Sequence, residues 1–134
     1  MLLVDTNVWL AAADRRSVRH RESVALLAAH AGKLASPVPV IAETSWPRSA
    51  RPAAHHQFLG PVGAGHLNAV DLTNDDWARS INLCHEYQDL RLDLMVACII
   101  AIAERLGVTT IATMNHRDFA VVRPAHRDAF DLVP

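Results

Sequence analysis

The chain has 134 residues, of which 51% are hydrophobic and 20% are charged, and its formal net charge is −1. This length suits one domain with a good core and is too short for two ordinary domains. Asp5 ends the first apolar run and no later run reaches membrane-spanning length, so we expect neither a membrane span nor a secretion signal, and hence a cytoplasmic protein.

The first ten residues read MLLVDTNVWL and predict a buried strand followed by a helix. A fully apolar stretch is typical of a buried strand, and Thr6 or Asn7 can cap the helix that follows. Asp5 then lies at the carboxyl edge of a sheet, where open α/β folds bind ligands. A second interpretation stays open, in which Asp5 only caps the helix.

The next elements are predicted to be a helix, a short strand and another helix. Residues 19–31 contain no helix breaker and end at Gly32, which is a typical helix stop. Residues 34–36 favour a brief strand, and residues 38–46 favour a helix with proline near its first turn. Glu43 then lies about two turns inside that helix.

The composition changes at residues 47–66, where three prolines and three glycines interrupt every helical or alternating pattern. We predict that this segment is irregular. Residues 67–72 favour a strand, and residues 73–76 supply a cap and acidic first-turn residues for a helix that runs to about Tyr87.

The last third of the chain begins with a nearly all-apolar helix at residues 92–106, which should be buried on most sides. Residues 108–114 are rich in β-branched side chains and favour a strand, the polar residues 115–118 with Phe119 favour a turn, and residues 130–133 favour a last edge strand. Strands that alternate with helices predict an α/β fold, with a parallel sheet of four to five strands covered on both faces.

In such a sheet the strands end at one edge, so Asp5, Glu43, Asp93 and the turn at Asn115 can converge. Gathered carboxylates repel each other unless a cation neutralises them, and an oxygen-only cluster suits Mg²⁺ or Mn²⁺. A metal held in this way can activate water and polarise a phosphodiester for hydrolysis. The pattern therefore indicates a phosphodiester hydrolase.

Four segments of the chain, in order, resemble PIN-domain ribonucleases of the VapC toxin type. They are LVDTNVWL at 3–10, VIAETSW at 40–46, DLRLDLMVA at 89–97 followed by AIAERLG at 101–107, and IATMNHRDF at 111–119. The resemblance implies a three-layer α/β/α sandwich, Mg²⁺-dependent cleavage of RNA, a VapB-type antitoxin as partner, and a homodimer. It also implies Asp5, Glu43 and Asp93 as catalytic and metal-binding acids, supported by Thr6, Asn7 and Asn115.

The chain departs from the family pattern at two positions. The family has Asp followed by Ala inside the long helix, where this chain has Val96 and Ala97, and Asp93 stands three residues earlier. Asp93 can be a metal ligand or only the helix N-cap, and both interpretations stay open. Asn115 stands where many relatives have Asp, so it brings an oxygen without a charge. These departures support an alternative, a catalytically impaired PIN domain that binds its antitoxin or RNA.

Arginine supplies the chain's positive charge, with Lys33 as the single lysine. The planar guanidinium suits phosphate, and Arg15, Arg16 and Arg117 are our candidates for RNA contact. A bias in codon usage would give the same excess of arginine. A small phosphatase or nucleotide-binding domain is a further alternative, but no glycine-rich phosphate loop follows the first strand.

Overall fold

The structure is a computed structural model that describes residues 1–134, in which strands and helices alternate along the chain. The strands are β1 (Leu2–Val4), β2 (Leu34–Pro37), β3 (Leu67–Val70), β4 (Thr110–Ala112) and β5 (Asp131–Val133). The α-helices are α1 (Thr6–Ala13), α2 (His20–Ala29), α3 (Val38–Ser45), α4 (Pro52–Gly63), α5 (Asn74–Glu86), α6 (Leu94–Leu106) and α7 (His116–Val121). None of these helices has the length and apolarity needed to cross a bilayer.

The five strands form one sheet in the order β3-β2-β1-β4-β5, and every neighbouring pair is parallel. Strand β1 lies at the centre, where Leu3 is opposite Ala35 of β2 and Ile111 of β4. The chain leaves β1 and crosses first to one side of the sheet and later to the other. The carboxyl end of β1 is therefore the point at which an open α/β sheet forms a crevice.

The sheet buries both of its faces, because successive residues of a strand point to opposite sides. Leu3 and Ile111 belong to the larger core, which the sheet forms with α5, α6 and α7. Val4 and Ala112 belong to a second core, against which Val8 of α1 and residues of α2 pack. The three-layer α/β/α sandwich with a parallel sheet is thus confirmed.

Helix α6 is the most deeply buried of the helices, as its apolar sequence predicts. All eight residues from Val96 to Ala103 are buried, and Gly107 ends the helix in a left-handed conformation with φ of 66°. Helix α5 covers α6, and Arg79 donates two hydrogen bonds, of 2.8 and 2.9 Å, to the Glu104 carboxylate. A bidentate pair of this kind fixes the orientation of the two helices.

The prediction that residues 47–66 are irregular is wrong. A 3₁₀ turn over Trp46–Arg48 is followed by helix α4, Pro52–Gly63. The proline residues do not prevent this helix because of their positions. Pro52 is the first helical residue, where a backbone N–H would have no intrahelical acceptor. The seven residues 53–59 between Pro52 and Gly60 contain no proline or glycine, so a helix can form there.

Smaller differences concern the ends of the chain's predicted elements. The strand predicted at 108–114 is confined to β4, and the polar turn predicted at 115–119 is the start of α7.

The helix after β3 begins where it was predicted, because Thr73 and Asp76 form a reciprocal capping box. Each side chain of that box accepts the other residue's backbone N–H, at 3.1 and 3.0 Å.

Candidate active site

Asp5 occupies the turn from β1 into α1 and is itself the N-cap of that helix. Its backbone is extended, with ψ of 157°, and its Oδ1 accepts the Thr6 N–H at 2.7 Å. The prediction that Thr6 or Asn7 supplies the cap is therefore wrong, because the chain is already helical at Thr6. Capping does not use the whole carboxylate, since Oδ2 points to a different set of partners.

Two side chains donate to Asp5 Oδ2, namely Asn7 Nδ2 at 2.9 Å and Thr113 Oγ1 at 2.8 Å. Asn7 also accepts the Met114 N–H at 2.9 Å through its Oδ1. These bonds tie the end of β1 to the residues just after β4, beyond the last main-chain bond from Asp5 N to Ala112 O. We call Asp5, Asn7 and Thr113 the carboxylate clamp.

Thr113 is the functional residue that sequence reasoning missed. Its hydroxyl donates to Asp5 and accepts the Asn115 N–H at 3.0 Å, and the residue is fully buried. The available signal was its position, since it is a polar residue near the end of the strand predicted at 108–114, at the same sheet edge as the end of β1.

Glu43 reaches the same edge from α3 and is joined to the clamp by Thr6. The Thr6 hydroxyl donates to Glu43 Oε2 at 2.6 Å, while the Thr6 N–H donates to Asp5. Asp5 is 6% exposed, whereas Glu43 is exposed to solvent. The structure thus brings Asp5, Glu43, Thr6 and Asn7 together, with one acid fixed inside the fold and the other at the surface.

The surroundings of Asp5 raise the pKa of its carboxyl group. Burial is the largest cause, and the negative charge of Glu43 acts in the same direction. The hydrogen bonds from Thr113, Thr6 and Asn7 act in the opposite direction because they stabilise the carboxylate. A positive charge placed between Asp5 and Glu43 would relieve the cost of keeping Asp5 ionised.

Asp93 lies outside this group. It is exposed and caps α6, where its Oδ1 accepts the Met95 N–H at 3.1 Å. No hydrogen bond joins it to Asp5, Thr6 or Glu43. The cap interpretation of Asp93 is the one that its contacts show, and its role as a metal ligand stays a prediction. Val96, one turn further along, is 4% exposed and belongs to the larger core.

Asn115 touches the site only through its backbone. Its N–H donates to Thr113, whereas its side chain caps α7 and donates to Asp118 Oδ2 at 2.9 Å. Asp118 is thus engaged in the turn. The Asn115 side chain contacts neither Asp5 nor Glu43, so its supporting role stays a prediction.

The three arginines predicted to bind RNA are all exposed. Arg16 pairs with Asp14 at 3.4 Å, and Arg117 lies 3.7 Å from Asp118. Arg15 pairs with no acid and lines a groove beside α1. None of them contacts the acids of the site, so RNA contact by these arginines stays a prediction.

The side chains around Asp5 and Glu43 fit a small divalent cation. Carboxylate, hydroxyl and amide oxygens are the donors that Mg²⁺ and Mn²⁺ prefer, and Mg²⁺ is often held by one or two carboxylates with water completing its shell. No group of three or more Asp, Glu, His or Cys side chains is assembled as a ligand set. The site thus offers two carboxylates, those of Asp5 and Glu43. The ionised form of Asp5 is destabilised by burial and by the charge of Glu43.

Known proteins resemble this chain over nearly all of its length. Ribonuclease VapC26 of Mycobacterium tuberculosis is 22% identical over 135 residues, which cover 99% of this chain and all of that protein. Among solved structures, VapC20 of M. tuberculosis, a sarcin-ricin loop cleaving toxin, has a TM-score of 0.73 at 17% identity, over 83% of this chain and 87% of that one.

Two further structures are complexes. A toxin-antitoxin complex from Klebsiella pneumoniae has a TM-score of 0.72 at 23% identity, over 100% of this chain and 97% of that one. VapBC2 of Rickettsia felis, bound to a promoter DNA fragment, has a TM-score of 0.67 at 18% identity, over 98% and 96% of the two chains. The sequence model of the PIN domain matches residues 2–123. The chain belongs to the PIN domain family.

Proposed function

We propose that this chain is a metal-dependent ribonuclease, a toxin of the VapC type that hydrolyses RNA phosphodiester bonds with Mg²⁺ or Mn²⁺. The observation that carries the proposal is the meeting of Asp5 and Glu43 at Thr6, at the carboxyl edge of the sheet. Two carboxylates that are distant in the chain lie near each other, and their mutual repulsion costs free energy unless a cation neutralises them. Such arrangements cluster at functional sites.

The side chains have distinct parts in this proposal. Asp5, held by Asn7 and Thr113, and Glu43, held by Thr6, would bind the cation. When bound, the cation supplies a water of lowered pKa and polarises the scissile phosphate. Glu43 is exposed and its other oxygen is free of protein hydrogen bonds, so it can orient a water molecule and accept its proton.

The proposal includes an antitoxin of the VapB type and a homodimer. The antitoxin is supported by the similar folds found in a toxin-antitoxin complex from K. pneumoniae and in VapBC2 from R. felis. FitAB bound to the IR36 DNA fragment is a further structure with a similar fold, at a TM-score of 0.70 and 18% identity.

A specific observation favours a second candidate function, a catalytically impaired PIN domain that binds its antitoxin or RNA. The α6 position at which the family pattern has an acid holds Val96, which is buried in the core, and Asp93 is an exposed helix cap. The side chain of Asn115 is also occupied by Asp118. Only two acids then remain to bind a cation.

Cleavage of labelled RNA with Mg²⁺, Mn²⁺ or EDTA distinguishes the two candidates. We expect cleavage by the wild-type chain in Mg²⁺ or Mn²⁺, and a loss of about 10²-fold or more in Asp5→Ala and in Glu43→Gln. Asp75→Asn, which changes an exposed acid without a hydrogen-bond partner, is the matched control and should cleave normally. Equal rates for the wild type and Asp5→Ala would refute the ribonuclease, and a large gain in Val96→Asp would identify the missing acid.

A further inference from the structure

Trp46 is the most exposed of the chain's three tryptophans and lies directly after helix α3. It is 78% exposed and Trp77 is 42% exposed, whereas Trp9 is partly buried and packs against Phe58. The Trp46 ring contacts no other aromatic ring and no cation. It therefore presents open aromatic surface to a ligand.

The main chain places Trp46 one helical turn beyond Glu43. The Trp46 N–H donates to Ala42 O, and its φ and ψ are −52° and −53°, so the helical path of α3 continues through Trp46. Residues three apart lie on the same face of a helix, with about 5–6 Å between their Cβ atoms. Glu43 and Trp46 are both exposed. The open ring is therefore next to the surface carboxylate of the candidate site.

Hydrogen bonds hold the 3₁₀ turn that carries Trp46 in place. The Ser49 N–H and the Ser49 hydroxyl both donate to Trp46 O, at 3.2 and 2.8 Å. Arg48 Nη1 donates to Thr44 O at 2.7 Å, and Thr44 is fully buried in α3. A ligand that binds a backbone already held in this way pays little to order it. The Trp46 ring is thus exposed on a fixed support.

The chain that follows Glu43 carries cations and no acid. Residues 44–70 contain two arginines and three histidines, and no aspartate or glutamate. Neither Arg48 nor Arg51 forms a salt bridge with an acid of this chain. A segment with this charge favours an anionic ligand. Single-stranded nucleic acids bind proteins through such a combination, in which bases stack on exposed aromatic rings and cations attract the backbone.

We propose that Trp46 stacks against a base of a single-stranded RNA whose scissile phosphate is bound at the candidate site. The stacked base belongs to a nucleotide close to the scissile bond, because the ring lies one helical turn from Glu43. Purines stack over a larger ring area than pyrimidines do, so Trp46 favours a purine at this nucleotide. The inference rests on the proposed function, because it describes how the expected substrate is held.

Titration with short fluorescently labelled oligonucleotides tests this proposal. The probes are oligoadenylate, oligouridylate and an abasic copy that keeps the ribose-phosphate backbone without its bases. Each is titrated in EDTA against the wild type, Trp46→Ala, Trp46→Phe and Trp46→Leu. Trp77→Ala is the matched control, because Trp77 is also exposed but lies on α5, the helix that covers α6.

Trp46→Ala should weaken binding of oligoadenylate by about tenfold, the effect of losing one stacked base. The loss should be smaller for oligouridylate and absent for the abasic copy. Trp46→Phe keeps an aromatic face and should retain part of the affinity, whereas Trp46→Leu keeps only apolar bulk and should bind as weakly as Trp46→Ala. Trp77→Ala should bind like the wild type. Circular dichroism checks that each variant is folded, as the exposure of both rings leads us to expect.

Four results would overturn the proposal: no saturable binding of oligoadenylate, equal affinity of the wild type and Trp46→Ala, an equal loss on the abasic copy, or full affinity in Trp46→Leu. A dimer in analytical ultracentrifugation that Trp46→Ala converts to a monomer, with RNA affinity unchanged, would assign the ring to a second copy of the chain instead. Titration in EDTA measures binding without cleavage. Its failure is therefore distinct from a failure of the ribonuclease assay.

Discussion

Removal of the Thr113 hydroxyl is expected to destabilise the fold through the carboxylate clamp. Thr113→Val keeps the shape of the side chain but deletes the 2.8 Å bond to Asp5 and the acceptor of the Asn115 N–H. A hydrogen bond to a charged group contributes about 1.5–3 kcal/mol, and a partly buried N–H left without a partner adds about 1 kcal/mol. We expect Thr113→Val to lower the free energy of unfolding by about 2–4 kcal/mol at neutral pH.

This loss should depend on pH in a defined direction. Burial raises the pKa of folded Asp5 above its ordinary value of 3.8, so the folded chain binds this proton more tightly than the unfolded chain does. The contribution of Asp5 to stability is therefore greatest in acid and declines as pH rises from the ordinary to the folded-state pKa. The hydrogen bond from Thr113 lowers the folded-state pKa of Asp5, so its removal raises that pKa and extends the pH range over which stability declines. The loss of unfolding free energy in Thr113→Val should therefore grow as pH rises.

Urea unfolding of the wild type, Thr113→Val and Thr113→Ser, in EDTA and at acid and neutral pH, measures both effects. Thr113→Ser keeps the hydroxyl and loses one methyl group, which costs about 1 kcal/mol. The two variants should differ by about 1–3 kcal/mol, so with a urea m-value of about 2 kcal/mol/M the midpoint of Thr113→Val should fall about 0.5–1.5 M below that of Thr113→Ser at neutral pH. Equal midpoints for the two variants, or a deficit that does not change with pH, would show that the hydroxyl does not support Asp5.

Three further predictions concern the core, a helix cap and the cation. Phe119→Ala should lower the free energy of unfolding in urea by about 3–5 kcal/mol, because this fully buried ring packs edge to face on Phe130. Its control is Trp46→Ala, at a side chain that is 78% exposed, which should change that free energy by less than about 0.5 kcal/mol. Thr73→Ala breaks the capping box of α5 and should cost about 1 kcal/mol, and an unchanged midpoint would count against that box. Mg²⁺ at 100 times its dissociation constant should stabilise the wild type by about 2.7 kcal/mol in thermal unfolding and leave Asp5→Ala unaffected; similar shifts in both proteins would place the cation elsewhere.

The sequence predicted the fold well where a pattern reports burial. The eight-residue apolar stretch of α6 that starts at Val96 is buried, and Gly107 ends the helix, because an all-round apolar helix has few places to lie except inside. Helix α4 was not predicted, because no local pattern in its sequence reports its packing. Its proline and glycine residues stand near its ends, and its position depends on Phe58 packing against Trp9, a contact between distant segments that no local pattern contains.

The candidate site was predicted in part. Asp5 and Glu43 follow from the rule that parallel strands end at one edge, and Thr6 is adjacent to Asp5 in sequence. Thr113 was missed because a threonine after a strand is common, and its role depends on a bond to a residue with a sequence separation of 108. Asp93 was placed with the acids by the expected convergence at the sheet edge and by the family resemblance, but its carboxylate accepts the N–H of Met95 in its own helix.

The parallel pairing of β1 with β4 has a consequence for the making of this protein. Strand β1 pairs with β4, which follows it by more than 100 residues, and such pairings form slowly because closing the intervening loop costs entropy before the contacts form. On the ribosome, Asp5 is translated long before Thr113 and β4 can hold its carboxylate. We therefore expect translation products that stop before β4 to be inactive on RNA, because their Asp5 lacks Thr113 as a hydrogen-bond partner.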